Sequence, residues 1–261
     1  MKGDLHLHSY YSDGAYSPAE VMARAKAAGC EVVALTDHDT VDGVREATAA
    51  AGALGMRNIA GVEFSAYDGA EVHILGYGVQ CNSARFCAFI ASQKKKREAR
   101  TTQLLENLAA HGMFVPPERL AGPVSRPVSR VHIAAAMVKL GYARDFHEAV
   151  HKWLRQGAPT FVPLTGASPE TVIEEIHAAG GKAVLAHPVR LDRDGYARAE
   201  LVKRLAAAGL DGIEAEYKRS SHAAVKEFKD MARQYGLFVT AGADFHGGEN
   251  EIIARTLKIP L

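Results

Sequence analysis

One unit recurs along the chain and restricts the fold to a small set of α/β architectures. In each copy an alanine-rich amphipathic helix is followed by a glycine and a short apolar strand. The first copy, SPAEVMARAKAAGCEVVALTDHD, begins at Ser17, which can cap the helix, and Gly29 ends that helix. Similar units occur in SPETVIEEIHAAGGKAVLAHP, AELVKRLAAAGLDGIEAE and SHAAVKEFKDMARQYGLFVTAGADFH. Helices that alternate with strands in this way predict βα units around a parallel sheet or barrel.

The middle of the chain departs from this rhythm. From about residue 81 to residue 161 the pattern is helical, with few strand signals. We therefore expect a barrel domain made of residues 1–80 and 162–261, and a mainly helical insertion domain over residues 81–161. The insertion carries the basic run Lys94–Arg97, which is typical of a solvated helix face, with substrate binding as the alternative.

Two histidines occupy alternate positions of the first predicted strand, in DLHLHSYYSDG. Residues i and i+2 of a strand share a face, so we expect His6 and His8 to lie together, with Leu5 and Leu7 on the other side. Two adjacent imidazoles are unfavourable in an apolar core, but they are well placed to bind a cation. Asp13 follows in a Ser-Asp-Gly turn, where it is either a turn former or a further ligand.

Polar residues able to bind metal also stand at the ends of the other predicted strands. They are Asp37, His38, Asp39, Glu63, His187, Asp244 and His246, and His73 begins the strand-like segment HILGYG. In (β/α) barrels the carboxyl ends of the strands form the active-site face, so these side chains should converge. Desolvation and mutual repulsion of so many charged groups would be uncompensated without a metal.

The predicted ligands are nitrogen and oxygen atoms without sulfur. This set suits manganese, iron or zinc in a hydrolytic site and disfavours a structural thiolate zinc. Glu63 could bridge two metals, as carboxylates do in two-metal hydrolases. Weaker alternatives stay open for two residues: a core histidine for His73 and a turn residue for His187.

Composition excludes several classes of protein. A net charge of +1 over 261 residues argues against a strongly basic protein that coats nucleic acid. No apolar run approaches the roughly 20 residues of a membrane span, and we expect no signal peptide, because strand-like sequence starts at Asp4. Three cysteines without a C-x-x-C pair are typical of a reducing cytoplasm. No obligate protein partner is evident.

Six motifs in order resemble those of the PHP (polymerase and histidinol phosphatase) superfamily of metal-dependent phosphoesterases. They are DLHLHSYYSDG, ALTDHDTVDG, GVEFSA, HILGYG, LAHP and GADFH. The middle segment, SRVHIAAAMVKLG followed by WLRQGAPTFVP, is similar to the insertion of a subgroup that acts on nucleoside 3′,5′-bisphosphates and on the 5′ end of short RNA. The resemblance implies a distorted (β/α)7 barrel with a mainly helical insertion.

The resemblance also implies roles for individual residues. One metal would be held by His6, His8, Glu63 and Asp244, a second by Glu63, His73 and His187, and a third by Asp13, His38 and His246. Asp37 would brace the cluster as part of the catalytic set, to which His187 and His246 also belong as candidate acids for the leaving oxygen. Arg130 and His132 would face the substrate phosphate; metal ligation is the alternative for His132, and a surface charge at a helix N-terminus is the alternative for Arg130. Two or three divalent ions are implied, manganese first, with iron or zinc as alternatives.

The implied function is hydrolysis of nucleotide phosphate esters by metal-activated water, on a phosphorylated small molecule or short oligoribonucleotide. A histidinol-phosphate-type phosphatase or a cyclic phosphodiesterase is the alternative, and a non-catalytic, metal-stabilised nucleic-acid-binding module is the alternative of another class. Related sequences often carry a lysine in the turn that is Gly157-Ala158-Pro159 here. Arg155, Arg130 or the Lys94–Arg97 run would have to replace it.

Overall fold

The computed structural model describes residues 1–120, 122–124, 126–194, 198–248, 251–257 and 260. The strands are β1 Lys2–Leu7, β2 Val32–Leu35, β3 Arg57–Tyr67, β4 Glu71–Tyr77, β5 Lys182–Leu185, β6 Gly212–Tyr217, β7 Phe238–Gly242 and β8 Arg255–Thr256. The α-helices are α1 Pro18–Ala27, α2 Val44–Ala53, α3 Ala84–Ala110, α4 Arg130–Lys139, α5 Phe146–Glu148, α6 Pro169–Ala178, α7 Arg198–Ala207 and α8 His222–Tyr235. Short 3₁₀ segments span Pro117–Arg119 and Pro188–Asp194, and a π-helical turn spans Ala149–Leu154.

Strands β1 to β7 follow one another in sequence order around a barrel, and the two-residue β8 pairs antiparallel with β1. The segment after β7 closes the barrel against β1. There the amide of His8 donates to the carbonyl of Phe245 over 2.9 Å, and the amide of Phe245 donates to the carbonyl of His6 over 3.2 Å. The predicted distorted seven-stranded barrel is confirmed.

The predicted parallel arrangement of strands does not hold for β4. This strand runs antiparallel to both β3 and β5, because a tight connection after Tyr67 turns the chain straight back. The other barrel neighbours, β1–β2–β3 and β5–β6–β7, are parallel. The reversal has a consequence for the site, since the start of β4, where Glu71 and His73 lie, reaches the edge at which the parallel strands end.

The predicted grouping of Leu5 with Leu7 is also wrong. The pairing of β1 with β2 shifts register between Asp4 and Leu7, which breaks strict alternation. Leu5 packs inside the barrel in a cluster drawn from the strands all round it, whereas Leu7 packs outside with α1. His6 and His8 do lie side by side, with ring centroids 5.1 Å apart.

Buried apolar residues form distinct layers around the barrel. One cluster fills its interior, a second lies between the strands and α1–α2, and a third lies between the strands and α6–α8. A fourth cluster packs the second half of α3 against α4 and the π-helical turn. The first half of α3, through Phe86 and Ile90, packs on the barrel instead. No helix among the described residues is long and apolar enough to span a membrane.

Candidate metal centre

The nine residues predicted as metal ligands come together at the edge of the barrel where the parallel strands end. They are His6, His8, Asp13, His38, Glu63, His73, His187, Asp244 and His246. In the first group, the imidazoles of His6 and His8 each place Nε2 3.1 Å from Oε2 of Glu63. Asp244 completes this group, its Oδ1 3.4 Å from Nε2 of His8. The ligand atoms of these four residues all lie within 4.8 Å of one another.

Two further groups share members with the first. Asp13, His38 and His246, predicted as one ligand set, lie together and are joined by His8. In the other group His38 stands with Glu63 and His73, and Nδ1 of His73 lies 2.8 Å from Oε1 of Glu63. The prediction placed His187 here, and its Nε2 is 3.1 Å from the same oxygen. Glu63 is thus central, with each carboxylate oxygen facing a different set of histidines.

The chemistry of these groups fits divalent metal ions. Several buried nitrogen and oxygen atoms lie close to one another or to other ligands but make no hydrogen bond within the described residues: Nε2 of His6, both ring nitrogens of His8, Oδ1 of Asp13, Nδ1 of His38 and Oε2 of Glu63. Buried polar atoms are costly when unpaired, so a set that points into one space needs a bound ligand. All are nitrogen or oxygen, the donors that manganese, iron and zinc accept in hydrolytic sites.

Charge is strongly coupled within the centre. Burial raises the pKa of Glu63, but the imidazoles of His6 and His38 outweigh burial and hold that pKa well below its usual range. Burial lowers the pKa of His73, yet Glu63 and Glu71 raise it to about 9. Burial likewise opposes protonation of His246, whose pKa Asp13 and Asp244 nevertheless raise to about 10.

Backbone strain marks the loops that carry this centre. Asp39, His187 and Asp244 are non-glycine residues with positive φ, at 51°, 25° and 54°. Such residues persist only where the surroundings hold them, and they concentrate at functional sites. Each lies just beyond the end of a parallel strand, where a sharp change of chain direction aims the neighbouring side chains at the centre.

Asp37, predicted to brace the cluster, is buried and fully engaged. It accepts hydrogen bonds from the Ser9 amide at 2.7 Å and from the hydroxyls of Ser9 and Ser12, each at 2.6 Å. Burial raises its pKa. These contacts tie the loop after β1 to the loop after β2, which supports a bracing role.

Three buried or half-buried carboxylates at the centre escaped the sequence prediction. Glu214 accepts from Nδ1 of His6 at 3.0 Å and from the amide of His187 at 2.8 Å. Asp4 accepts backbone amides from β1, from the end of β7 and from the chain near β8. Glu71 contacts His73. A signal existed for Glu214 and Asp4, because each is an acidic residue inside an otherwise apolar strand.

Two residues were predicted to face phosphate. Arg130 begins α4 and lines a cavity beside the metal centre, where Nη2 donates to Oε2 of Glu71 over 2.5 Å. His132 caps the same helix, since its Nδ1 accepts the amide of Ser129 over 3.0 Å. Burial lowers the pKa of His132 to about 4, and only its other ring nitrogen is left for a substrate.

The basic run Lys94–Arg97 is only partly the solvated face that its sequence suggests. Arg97 is buried, and it donates through Nε and Nη2 to Asp39 and through Nη2 to Ser65 over 2.6 Å. Lys94 pairs with Asp42. Isolated sequence reasoning misjudged Arg97 because its partner, Asp39, lies in a distant loop.

Two cavities adjoin the metal centre. The larger, of about 350 Å³, is lined by Asp13, His38, His73, Asp244 and His246 together with Arg97, Arg100, Arg130, Arg190 and Arg219. The smaller, of about 200 Å³, shares Arg100, Arg130 and Arg190 and adds Arg155 and His187. Six guanidinium groups thus line the two cavities beside the candidate metal ligands, and guanidinium groups are well suited to bind phosphate.

Comparison with known proteins agrees with this geometry. The model of the PHP domain family matches residues 4–157. A 5′-3′ exoribonuclease from Haemophilus influenzae is 35% identical over 94% of this chain and 90% of its own length. A 3′,5′-nucleoside bisphosphate phosphatase from Chromobacterium violaceum is 36% identical over 98% of this chain and 92% of its own.

A solved structure from Chromobacterium violaceum, described as an amidohydrolase with bound sulfate and no metal, has the same fold. Its TM-score is 0.89 at 34% sequence identity, over 99% of this chain and 92% of that one. The chain therefore belongs to the PHP family. This membership confirms the resemblance drawn from the motifs and the predicted class, a metal-dependent phosphoesterase and thus a hydrolase.

Proposed function

We propose that this protein hydrolyses phosphate esters of nucleotides, with nucleoside 3′,5′-bisphosphates and short 5′-phosphorylated RNA as its substrates. The observation that carries the proposal is the arginine-lined pair of cavities directly beside the nine candidate ligands. The names of the two relatives support the same substrates.

The two cavities favour a substrate that carries phosphate at two positions. Arg100, Arg130 and Arg190 line both cavities, whereas Arg155 lines only the smaller. Arg155 lies two residues before the turn Gly157-Ala158-Pro159, where related sequences often carry a lysine, and would supply the missing cation. The N-terminus of α4 opens into the larger cavity and adds the partial positive charge of a helix end.

The larger cavity also offers apolar surface for a nucleobase. Phe146 and Val131 line it although both side chains are exposed, at 47% and 39%. Exposed aromatic rings provide stacking surface for bases. We expect Phe146→Ala to raise KM for adenosine 3′,5′-bisphosphate several-fold and to leave KM for ribose 3,5-bisphosphate, which has no base, unchanged.

Three ligand sets would hold two or three divalent ions, manganese foremost and iron or zinc as alternatives. They are His6, His8, Glu63 and Asp244; Glu63, His73 and His187; and Asp13, His38 and His246. When bound, the metals would supply Lewis acidity and lower the pKa of the attacking water toward neutrality.

The chain's own residues would do the remaining work. Arg130 and Arg190 would donate to the non-bridging oxygens and offset charge as it develops in the transition state. Where the set of Asp13, His38 and His246 holds no ion, His246, whose pKa Asp13 and Asp244 raise to about 10, would hold a proton for the leaving oxygen. Burial lowers the pKa of His187, which favours its neutral, ligating form.

We further propose that residues 1–80 and 162–261 form the barrel domain that supplies the ligands, and that residues 81–161 form an insertion domain that supplies phosphate contacts. The separate apolar cluster of α3, α4 and the π-helical turn supports this division. The free thiols of Cys30, Cys81 and Cys87 support a reducing compartment, the cytoplasm.

The test is phosphate release by protein loaded with Mn²⁺, Fe²⁺ or Zn²⁺. Adenosine 3′,5′-bisphosphate, a short 5′-phosphorylated RNA, histidinol phosphate and a cyclic phosphodiester are compared. We expect the first two to have the highest kcat/KM. Preference for histidinol phosphate or the cyclic ester would overturn the substrate assignment.

Glu63→Gln serves as the inactive control, because it removes the charge that faces all three ligand sets. We expect it to lower kcat/KM at least about 100-fold. A module that only binds nucleic acid would instead show salt-dependent RNA affinity without turnover in the wild type.

A further inference from the structure

Glu71, the first residue of β4, connects the metal centre to the phosphate side of the cavity. Its Oε1 accepts from Nε2 of His73 at 3.1 Å, and its Oε2 accepts from Nη2 of Arg130 at 2.5 Å. Oε2 also lies 3.9 Å from Nη1 of Arg100. The side chain is only 21% exposed. One carboxylate thus contacts both a candidate metal ligand and a candidate phosphate ligand.

We propose that Glu71 is a positioning residue that orients His73 toward the metal and Arg130 toward the substrate phosphate, an inference that rests on the proposed function. It touches neither the metal nor the reacting atoms. Each oxygen of its carboxylate holds one partner, so the two roles can be removed separately.

At the metal end, the two nitrogens of His73 have different neighbours. Nδ1 lies 2.8 Å from Oε1 of Glu63, inside the group that His38, Glu63 and His73 form. Nε2 points away from that group, to Glu71. A ligating imidazole commonly donates its other N–H to a carboxylate, which fixes the tautomer and the ring orientation. Glu71 and His73 are two residues apart on one strand, so backbone pairing with β3 fixes their spacing.

At the phosphate end, the contact between Glu71 and Arg130 joins β4 of the barrel to α4 of the helical segment. Arg130 begins α4, and its side chain is 36% exposed at the cavity. The contact with Glu71 uses Nη2, and within the described part of the chain the N–H groups of Nε and Nη1 are left for an anion. The contact between Oε2 of Glu71 and Nη2 of Arg130 keeps the guanidinium over the cavity.

Two substitutions separate the two ends. Glu71→Gln retains an amide oxygen that can accept from His73, but it loses the charge that holds Arg130. Glu71→Ala loses both contacts. We expect Mn²⁺ binding, measured by calorimetry without substrate, to weaken less than about threefold in Glu71→Gln and about 10- to 100-fold in Glu71→Ala.

Binding of inorganic phosphate reports on the other end. At saturating Mn²⁺ we expect the phosphate Kd to rise about three- to tenfold in both variants, because Arg130 must then be ordered by the ligand itself. In an Arg130→Ala background, Glu71→Gln should change the phosphate Kd no further. Glu98→Gln, an equal change of charge at an exposed position of α3, is the matched control.

Three results would overturn the proposal: wild-type Mn²⁺ affinity in Glu71→Ala, equal weakening of Mn²⁺ binding in both variants, or a Glu71→Gln effect on phosphate that persists without Arg130. Neither binding measurement requires turnover. If the protein failed to hydrolyse any nucleotide, the proposed function would fall while these titrations still decided the role of Glu71.

Discussion

The histidines of the centre differ in the charge that they carry before a metal binds. Neighbouring carboxylates raise the pKa of His73 to about 9 and that of His246 to about 10, although burial opposes both shifts. For His38 and His187, burial dominates and lowers the pKa. The metal-free protein at neutral pH therefore holds protons on some of its ligands, and a metal must displace them.

Carboxylates also hold the pKa of His6 well above its ordinary value, so we expect metal binding at pH 7.5 to release about three protons, from His6, His73 and His246. A raised histidine pKa stabilises the folded chain fully below the unfolded value of about 6.5, and this stability is lost as pH rises through 9 to 10. The melting temperature of metal-stripped protein should therefore fall from pH 7 to pH 10, while metal affinity rises. Calorimetry of Mn²⁺ binding in buffers of different ionisation enthalpy counts the protons. Binding without proton release would contradict these charge states.

Gly242, the last residue of β7, shows how closely the backbone approaches the centre. A Cβ at this position would overlap Cβ of His6 and the carboxylate of Glu214. We expect Gly242→Ala to destabilise the protein by about 1–3 kcal/mol, as overpacking does, and to weaken metal binding by displacing His6. Gly52→Ala is the matched control, since a Cβ there has open space in α2 and should stabilise by about 0.5–1 kcal/mol. Equal stability of the two variants in urea unfolding would count against this packing.

Single residues were predictable from sequence where a motif concentrated them. His6 and His8 at alternate strand positions, and Asp244 with His246 after β7, could be identified without coordinates. Glu71 could not, because its importance depends on two partners, one of which lies 59 residues away in sequence. Pattern alone does not reveal which distant charge a carboxylate will meet.

At the scale of secondary-structure elements, α3 is joined to the barrel by a buried ion pair. Arg97 on α3 donates to Asp39, whose positive φ places it in the loop after β2. The two side chains are only 10% and 3% exposed. Asp39 directly follows His38 in the chain, so this pair restrains a loop that carries a candidate ligand.

Removal of one partner leaves a buried, uncompensated charge on the other. We expect Arg97→Met to lower the free energy of unfolding by about 3–5 kcal/mol. The double variant Arg97→Met/Asp39→Asn should be destabilised by less than the sum of the single changes, because it leaves neither charge alone. Urea denaturation of all four proteins measures the coupling. Strict additivity would show that the pair does not link the two elements.

Elements were predictable where helix and strand alternate, and less so where strands reverse. The βα units before β3 and after α6 follow from capping residues, glycines and apolar periodicity. The antiparallel direction of β4 could not be predicted in this way. The short connection between β3 and β4 forms a hairpin, and the repeated helix–strand pattern does not indicate one. The same reversal explains how His73, at the start of its strand, still reaches the site.

At the scale of the whole molecule, the barrel brings together residues from its first strand to its last. Closure depends on hydrogen bonds between β1 and the segment after β7, the two segments that carry His6, His8 and Asp244. The repeats predicted a parallel sheet or a barrel, and the resemblance of the motifs to the PHP family selected the barrel. How closely the candidate ligands cluster could not be predicted, because their burial and the distances between their nitrogen and oxygen atoms are set only when the barrel closes.

The most direct test is diffraction at the manganese absorption edge from crystals grown in saturating Mn²⁺. We predict anomalous peaks at ligand distance, roughly 2.0–2.3 Å, from donor atoms of His8, Glu63 and Asp244, with at least two peaks sharing Glu63. Absence of any peak among these three side chains under saturating metal would contradict the metal centre and the chemistry that depends on it.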